Sequence, residues 1–176
     1  MSWSRGHKLK GGKRRKLQIE GQWIAYAREM IESPAYRVLS IHARKVMRRL
    51  EIEHCSHGGQ ENGKLPVPYS DFVKYGCRRN SVRPALVECI ALGFLELVER
   101  GHSAYGDIPG KPSTYRLTYL HAHDGPATND WKKIETISEA KARVKQAMAD
   151  YEEYLNTAPG SPRQRKKRVL KAVKSA

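Results

Sequence analysis

Residues 69–100, YSDFVKYGCRRNSVRPALVECIALGFLELVER, constrain the fold more than any other part of this sequence. They predict a short helix, a tight turn, a second helix and a strand. Ser70 is a good N-cap for the first helix, and Gly76 is a natural left-handed stop after it. Ser81 is predicted to cap the second helix. Pro84 then falls among the first three helical positions, where a proline removes no backbone hydrogen bond.

The second predicted helix has one apolar face. Its apolar positions recur at helical spacing: Val82, Ala85, Leu86, Cys89 and Ile90. Val82 is the first predicted helical residue, Gly93 ends the helix, and residues 94–100 are predicted to be a strand. Two helices joined by a turn of three or four residues form the helix-turn-helix unit, whose second helix can enter the major groove of DNA.

The start of the second helix is rich in side chains that suit nucleic acid. They lie in the turn and in the first helical turn: Arg78, Arg79, Asn80, Ser81 and Arg83. Arginine can bind guanine through two hydrogen bonds, asparagine can bind adenine in the same way, and both bind phosphate. Spacing alone leaves an alternative, an ordinary helical hairpin with a solvated basic end.

Positive charge is concentrated at the two ends of the chain. The formal net charge of +15 favours a polyanionic partner. Residues 1–16 hold seven Lys and Arg and no acid, and residues 159–176 hold seven more and no acid. Residues 17–158 hold 19 basic and 18 acidic residues, a net charge of +1. We therefore predict a disordered basic arm over 1–16 and a basic tail over 157–176.

The cysteines and the hydropathy indicate the cellular setting. Cys55, Cys77 and Cys89 are odd in number and form no CxxC pair, which favours free thiols in a reducing cytoplasm. No apolar run approaches membrane-spanning length, and no apolar core of the signal-peptide kind follows the basic N-terminus. We expect a cytoplasmic, nucleoid-associated protein with no membrane partner.

Further helices are predicted before this stretch. Apolar spacing indicates a helix over about 23–32, and Ser33 with Pro34 starts a short one. Ser40 is predicted to cap a long helix over 41–55. Four of its side chains are expected to face inward: Ala43, Val46, Met47 and Leu50. Four basic ones are expected to lie largely outward: Arg44, Lys45, Arg48 and Arg49.

Three short strands complete the central part. Residues 57–64, HGGQENGK, are a loop by composition, and the proline in 65–67 confines that extended piece to a sheet edge. Residues 113–120, STYRLTYL, alternate as a half-buried strand with Tyr115, Leu117 and Tyr119 on one face and Thr114, Arg116 and Thr118 on the other. Residues 94–100 pair with them in a predicted hairpin with a long tip that is poor in charge.

The predicted order of elements resembles that of a known protein family. It runs helix, short strand, helix, helix, strand, loop and strand. Residues 34–120, about half of the chain, resemble bacterial winged helix-turn-helix DNA-binding proteins, which include plasmid replication initiators and phage-type regulators. The closest motifs are YSDFVKYGCRRNSVRPALVECIALGFLEL and TYRLTY. The resemblance implies a mainly α fold with a small β-hairpin, over 17–122, and binding to double-stranded DNA.

The resemblance also implies roles for particular residues. The second helix of the unit would enter the major groove, and the hairpin, or wing, would touch the DNA backbone or the minor groove. Arg78, Arg79, Asn80, Ser81 and Arg83 would then be the base-reading residues. Arg100, His102 and Lys111 would be wing contacts, and Ser70 and Lys74 complete the predicted DNA-binding set.

A separate C-terminal helix is predicted over 131–156, after a linker over 123–130. Thr136 and Glu139 form a predicted capping box. Apolar residues then step by three and four positions in a nearly heptad seam: Ile137, Ala140, Val144, Ala147, Tyr151 and Tyr154. This seam either packs back on the domain or forms a homodimer through 131–155, as DNA-binding proteins that read two half-sites do.

The sequence contains no recognisable catalytic or cofactor-binding motif. No glycine-rich phosphate loop precedes a Lys-Ser or Lys-Thr pair. His54, Cys55 and His57 match no common zinc spacing, and a histidine near the negative end of a helix is the simpler interpretation. The acids are expected on solvent faces, so no paired carboxylates are predicted. We therefore expect no enzyme, no metal and no cofactor.

The expected function is sequence-specific binding of double-stranded DNA by a transcriptional regulator or a replication-initiator-like factor. The tails would supply non-specific affinity, and the second helix of the unit would supply sequence choice. Two alternatives stay open. One is an RNA- or ribosome-associated protein, because basic tails fit structured RNA equally well. The other is a protein-interaction module that uses the C-terminal helix.

Overall fold

The structure is a computed structural model that describes residues 20–157 except 105, 108 and 123. The predictions for the arm (1–16) and for the tail beyond 157 lie outside the described residues. Six α-helices are present in the described part, with one short 3-10 helix, Asp130–Lys133. They are α1 (Arg28–Glu32), α2 (Pro34–Val38), α3 (Ile41–Ser56), α4 (Tyr69–Lys74), α5 (Arg79–Ala91) and α6 (Ile137–Thr157). The strands are β1 (Leu65–Pro66), β2 (Leu95–Glu99) and β3 (Thr114–Leu117).

The three strands form one antiparallel sheet in the order β1-β3-β2. Leu65 lies opposite Tyr115, and Leu95 lies opposite Leu117. β1 is an edge strand, as its proline predicted. β3 is shorter than expected and ends at Leu117. The Thr118 N–H still bonds the Phe94 carbonyl at 3.1 Å, and the Thr118 hydroxyl donates to the Gly93 carbonyl at 2.6 Å. Thr118 is therefore buried, and its predicted outward position is wrong.

Two predicted helix starts are confirmed in detail. The Ser33 hydroxyl accepts a hydrogen bond from the Tyr36 N–H at 3.1 Å, with Pro34 as the first helical residue of α2. The Ser40 hydroxyl accepts one from the Ala43 N–H at 3.1 Å at the start of α3. Both satisfy an N–H group that has no partner within its own helix.

The predicted caps of α4 and α5 are wrong. α4 begins at Tyr69 with Pro68 as N-cap, so Ser70 is already helical. α5 begins at Arg79 with Arg78 as N-cap, and neither N-cap residue makes a side-chain capping bond. Ser81 therefore lies inside the first turn of α5.

The early start of α5 has a tertiary cause. Cys77 is buried, and its N–H bonds the Phe72 carbonyl at 3.0 Å, which closes the turn directly after Gly76 at φ +94°. The chain is then positioned to begin a helix at once. Pro84 consequently lies in the helix interior, where it lacks the N–H that would bond the carbonyl four residues earlier.

The first predicted helix is much shorter than expected. Residues 20–27 include no helix, and α1 occupies only Arg28–Glu32. The extended course places Tyr26 against α3, where its hydroxyl donates to the carboxylate of Glu51. The Arg48 guanidinium covers the Tyr26 ring at 4.7 Å from its centroid. Trp23 stays 60% exposed, so it contributes little to the core.

The long helix α3 packs its apolar face inward as predicted. Its buried apolar residues are Ala43, Val46, Met47 and Leu50. Arg49 does not lie outward, because its side chain is only 15% exposed and its guanidinium pairs with Glu53 at 2.8 Å and with Asp71 at 3.2 Å. The expectation that acids lie on solvent faces is also wrong for Glu51 and Glu88, which are buried.

The C-terminal helix packs back on the rest of the fold. The predicted single helix over 131–156 is instead a 3-10 turn followed by α6, which begins at Ile137 after the Thr136 hydroxyl accepts from the Glu139 N–H at 3.1 Å. Ala140 is buried, and α6 lies against α5 and α2. Gly93, at φ +75°, lets the 3-10 helix approach the end of α5 closely, because a Cβ there would lie 2.6 Å from the carbonyl carbon of Asp130. In the part of the chain that the structure describes, no helix is both long and apolar enough to cross a membrane.

Candidate nucleic-acid interface

The two helices of the central stretch are fixed by buried residues on their inner faces. Phe72 of α4 and Val82 of α5 are fully buried, and Cys77 anchors the turn between them. Lys45 of α3 donates to the Gly76 carbonyl at 2.9 Å, just after the negative end of α4. This packing holds the first turn of α5 in a defined position.

The outer side of that first turn is the most open part of the predicted site. Arg78, Arg79 and Asn80 are exposed, and among the described residues no side-chain partner holds any of the three. Ser81 is half-buried, and its N–H bonds the Arg78 carbonyl at 2.8 Å. Unpaired N–H groups and the dipole at a helix start attract anions. The turn thus presents two guanidinium groups, one amide and a positive helix end to solvent.

Arg83 has a different environment from the other predicted reading residues. It is half-buried, and its guanidinium lies 5.7 Å from the ring centroid of Tyr69 and 6.0 Å from that of Tyr151. Stacking of this kind orients a guanidinium while leaving its N–H edges available. Arg83 is therefore held between α4 and α6 and not extended into solvent.

Ser70 and Lys74 lie on the exposed side of α4. The Lys74 side chain is 79% exposed and is 3.4 Å from the Asp71 carboxylate. Burial alone would raise the pKa of Asp71, but hydrogen bonds from Arg49 and Lys74 outweigh it and lower that pKa. Asp71 thus stays ionised and links Arg49 of α3 to the exposed lysine.

The predicted wing residues extend the hairpin beyond β2 and β3. His102 and Lys111 form a backbone pair with two hydrogen bonds of 2.9 Å. The Lys111 ammonium pairs with Glu99 at 2.6 Å, and Arg100 donates to the Tyr154 hydroxyl at 3.4 Å. Both cations are therefore engaged within the fold, although each is exposed.

The predicted site residues fall into three neighbouring groups. Four of them line one cleft between the start of α4 and the hairpin: Ser70, Arg83, His102 and Lys111. Arg100 and Arg83 line a second groove, beside α6. Arg78, Arg79, Asn80, Ser81 and Lys74 line neither.

Tyr151 and Tyr154 of α6 belong to this surface, although no role was predicted for them there. They contact Arg83 and Arg100 respectively, across more than fifty residues of sequence. Their place in the apolar seam signalled that they pack on something. It did not indicate that arginines of the predicted interface were the partners.

His54 is buried, and no group of three or more His, Cys, Asp or Glu in the described ranges is placed to hold a metal ion.

Comparison of this chain with protein-family models, with characterised proteins and with solved structures gave no match.

Proposed function

We propose that this protein binds double-stranded DNA sequence-specifically, as a winged helix-turn-helix transcriptional regulator or replication-initiator-like factor. The observation that carries the proposal is the first turn of α5, where Arg78, Arg79 and Asn80 are exposed while the opposite face of the helix is packed in the core. A rigid helix with unpaired guanidinium and amide groups at its start matches what base-edge recognition in a major groove requires.

The order of elements supports the same proposal. From α3 onward the chain runs helix, strand, helix, helix, strand, loop and strand, and its sheet has the order β1-β3-β2. In the proposed complex the hairpin lies along the DNA backbone beside the groove that α5 enters, so that Ser70, His102 and Lys111 face phosphates. Lys111 would exchange its contact with Glu99 for one with DNA.

Affinity and sequence choice are assigned to different parts of the chain. Residues 17–158 carry a net charge of only +1, whereas the two ends carry fourteen positive charges. Counterion release by those ends supplies affinity for any duplex. Contacts from Arg79 and Asn80 to base edges supply the difference between sequences.

The experiment that tests the proposal is selection of bound sequences from random duplex DNA by the full chain. We expect enrichment of one short motif, with at least tenfold preference over random duplex. Structured RNA is then added as competitor at equal nucleotide concentration. Recovery of no motif, together with stronger competition by RNA, would contradict DNA binding and favour an RNA-associated protein. Binding to neither polymer at low salt would favour an interaction module.

A further inference from the structure

A groove lies between α5, the base of the hairpin and the last turns of α6, and we name it the tyrosine groove. It has a volume of about 320 Å³. Its apolar floor comes from α5 and β2: Leu86, Val87, Ile90 and Leu97. Its walls carry four aromatic rings: Tyr69, Tyr115, Tyr151 and Tyr154. Grooves of this size with apolar floors and a few polar groups are the usual form of small-molecule sites.

Two guanidinium groups stand at this groove. The Arg83 guanidinium lies 5.7 Å from the Tyr69 ring centroid, and that of Arg100 lies 5.6 Å from the Tyr154 ring centroid. Within the described part of the chain neither arginine forms an ion pair. Asp150 is the one acid among the lining residues, and its carboxylate accepts a hydrogen bond from Gln146 at 2.8 Å. The lining therefore has a net positive charge of one.

We propose that the tyrosine groove binds a small organic anion with a planar apolar body. The anionic head, a carboxylate in the simplest case, accepts hydrogen bonds from Arg83 and Arg100. The body lies over Val87 and Ile90 and between the tyrosine rings. Hydrogen bonds from arginine to a carboxylate are among the stronger ones in proteins, and stacking has already oriented both guanidinium groups.

Two other clefts in the described part of the chain lack this combination. The cleft around Trp23 and His54 is lined by no lysine or arginine. The neighbouring cleft that includes Arg48 also contains Glu51, and these two form an ion pair at 3.0 Å. Neither cleft offers an uncompensated cation above an apolar floor, so both serve as internal controls.

The groove shares Arg83 and Arg100 with the predicted DNA-binding set, but its test contains no nucleic acid, so the result does not depend on whether the chain binds DNA. The probe is 2-naphthoate, and its uncharged control is 2-naphthamide, which has nearly the same shape. Titration of the full chain, labelled at Ile, Leu and Val methyl groups, is followed by NMR. We expect the largest shifts at Leu86, Val87, Ile90 and Leu97, and at least tenfold weaker binding of the amide, because it lacks the charge.

Two variants separate charge recognition from apolar binding. Arg83→Gln and Arg100→Gln should each weaken 2-naphthoate binding by about tenfold and leave the affinity for 2-naphthamide unchanged. Arg44→Gln is the matched control, since the Arg44 guanidinium also covers a tyrosine ring, at 5.2 Å from the Tyr36 centroid, but lies outside the groove. It should bind as the wild type does.

Three outcomes would overturn the proposal: equal affinity for carboxylate and amide, unchanged carboxylate binding by the Arg100→Gln variant, or shifts confined to Ile24 and Ile52 around Trp23. If Arg83→Gln fails to fold, Arg100→Gln and the comparison of the two probes still decide the question.

Discussion

Glu88 of α5 accepts two hydrogen bonds from Ser40 at the start of α3, one from the backbone N–H at 2.6 Å and one from the hydroxyl at 2.7 Å. The same hydroxyl accepts from the Ala43 N–H, so one serine links the carboxylate to the first turn of α3. A carboxylate is favoured at the positive end of a helix. This contact ties the helix that carries the proposed reading residues to the longest helix of the core.

The Ser40–Glu88 contact should contribute measurably to stability. Ser40→Ala should lower the free energy of unfolding by about 1–3 kcal/mol, since it removes a cap and leaves a buried carboxylate oxygen unpaired. Chemical denaturation of the two single variants and of Ser40→Ala/Glu88→Gln gives their coupling, expected at about 0.5–3 kcal/mol. Ser33→Ala is the control, because the Ser33 hydroxyl caps α2 in the same way but donates to no carboxylate. Strictly additive effects at Ser40 and Glu88 would show that the contact carries no stability of its own.

Features whose causes lie within a few residues were predictable from the sequence. Ser33 and Ser40 cap their helices through N–H groups three residues ahead, and Gly76 and Gly93 take the left-handed conformation that ends a helix. The proline of β1 confined that strand to an edge for an equally local reason, the missing N–H. Each of these depends on covalent geometry that a short window of sequence contains.

Features whose causes lie far along the chain were not predictable. Glu51 is buried because Tyr26 and Tyr119, 25 and 68 residues away, donate their hydroxyl groups to it. α5 starts early because the turn before it is anchored by Cys77, which packs in a core whose residues come from Met30 to Ala140. For the candidate site, the residue types at the start of α5 were visible in the sequence. Arg83 lies between Tyr69 and Tyr151 because of the way α6 packs. The sequence of residues 69–100 contains no information about that packing.

The first turn of α5 should discriminate between DNA sequences. Arg79→Ala or Asn80→Ala should cost about 1–3 kcal/mol of binding free energy on the selected duplex if the side chain makes a bidentate base contact. Affinity for random duplex should change much less, as measured by fluorescence anisotropy. Arg28→Ala, an exposed arginine of α1 paired with Glu32, is the control and should alter neither affinity. Equal losses on both duplexes would make these residues phosphate contacts.

Stability should fall on mild acidification because of His54. Burial lowers the pKa of His54; Glu51 opposes this effect and His57 adds to it. The unfolded chain takes up the proton near the ordinary pKa of about 6.5, before the folded one does. It therefore binds more protons just below that pH, and the free energy of unfolding decreases as the pH falls from 7.5 to 5.5.

A variant isolates this histidine. His54→Gln should have a shallower decline over the same pH interval, measured by denaturation at each pH. His121→Gln, at an exposed position, should keep the wild-type decline. Identical curves for the His54 variant and the wild type would remove His54 as the cause.

The seam of α6 should behave as part of the core. Val144 is half-buried against the core, so Val144→Glu should lower the free energy of unfolding by about 1–3 kcal/mol. Ala142→Glu, on the exposed side of the same helix, should have little effect. Sedimentation of both variants and of the wild type reports the oligomeric state. A stable Val144 variant that dissociates from a wild-type dimer would make the seam a homodimer interface instead.

The charged ends should determine the salt dependence of DNA binding. Residues 1–16 and 159–176 hold fourteen of the fifteen net positive charges. Each phosphate that is neutralised contributes a slope of about −0.9 in log affinity against log salt. Deleting both segments should therefore flatten the slope substantially and weaken binding to every duplex.

The same deletion should leave sequence preference intact, because base reading is assigned to the first turn of α5. The protein should also keep its thermal unfolding transition, since neither deleted segment has a periodic apolar face with which to join the core. Binding of the selected and random duplexes by both proteins at several salt concentrations supplies the comparison. An unchanged slope would mean that the charged ends do not bind DNA. Loss of the preferred motif would mean that the ends themselves read bases, as minor-groove arms do, and the assignment to α5 would be wrong.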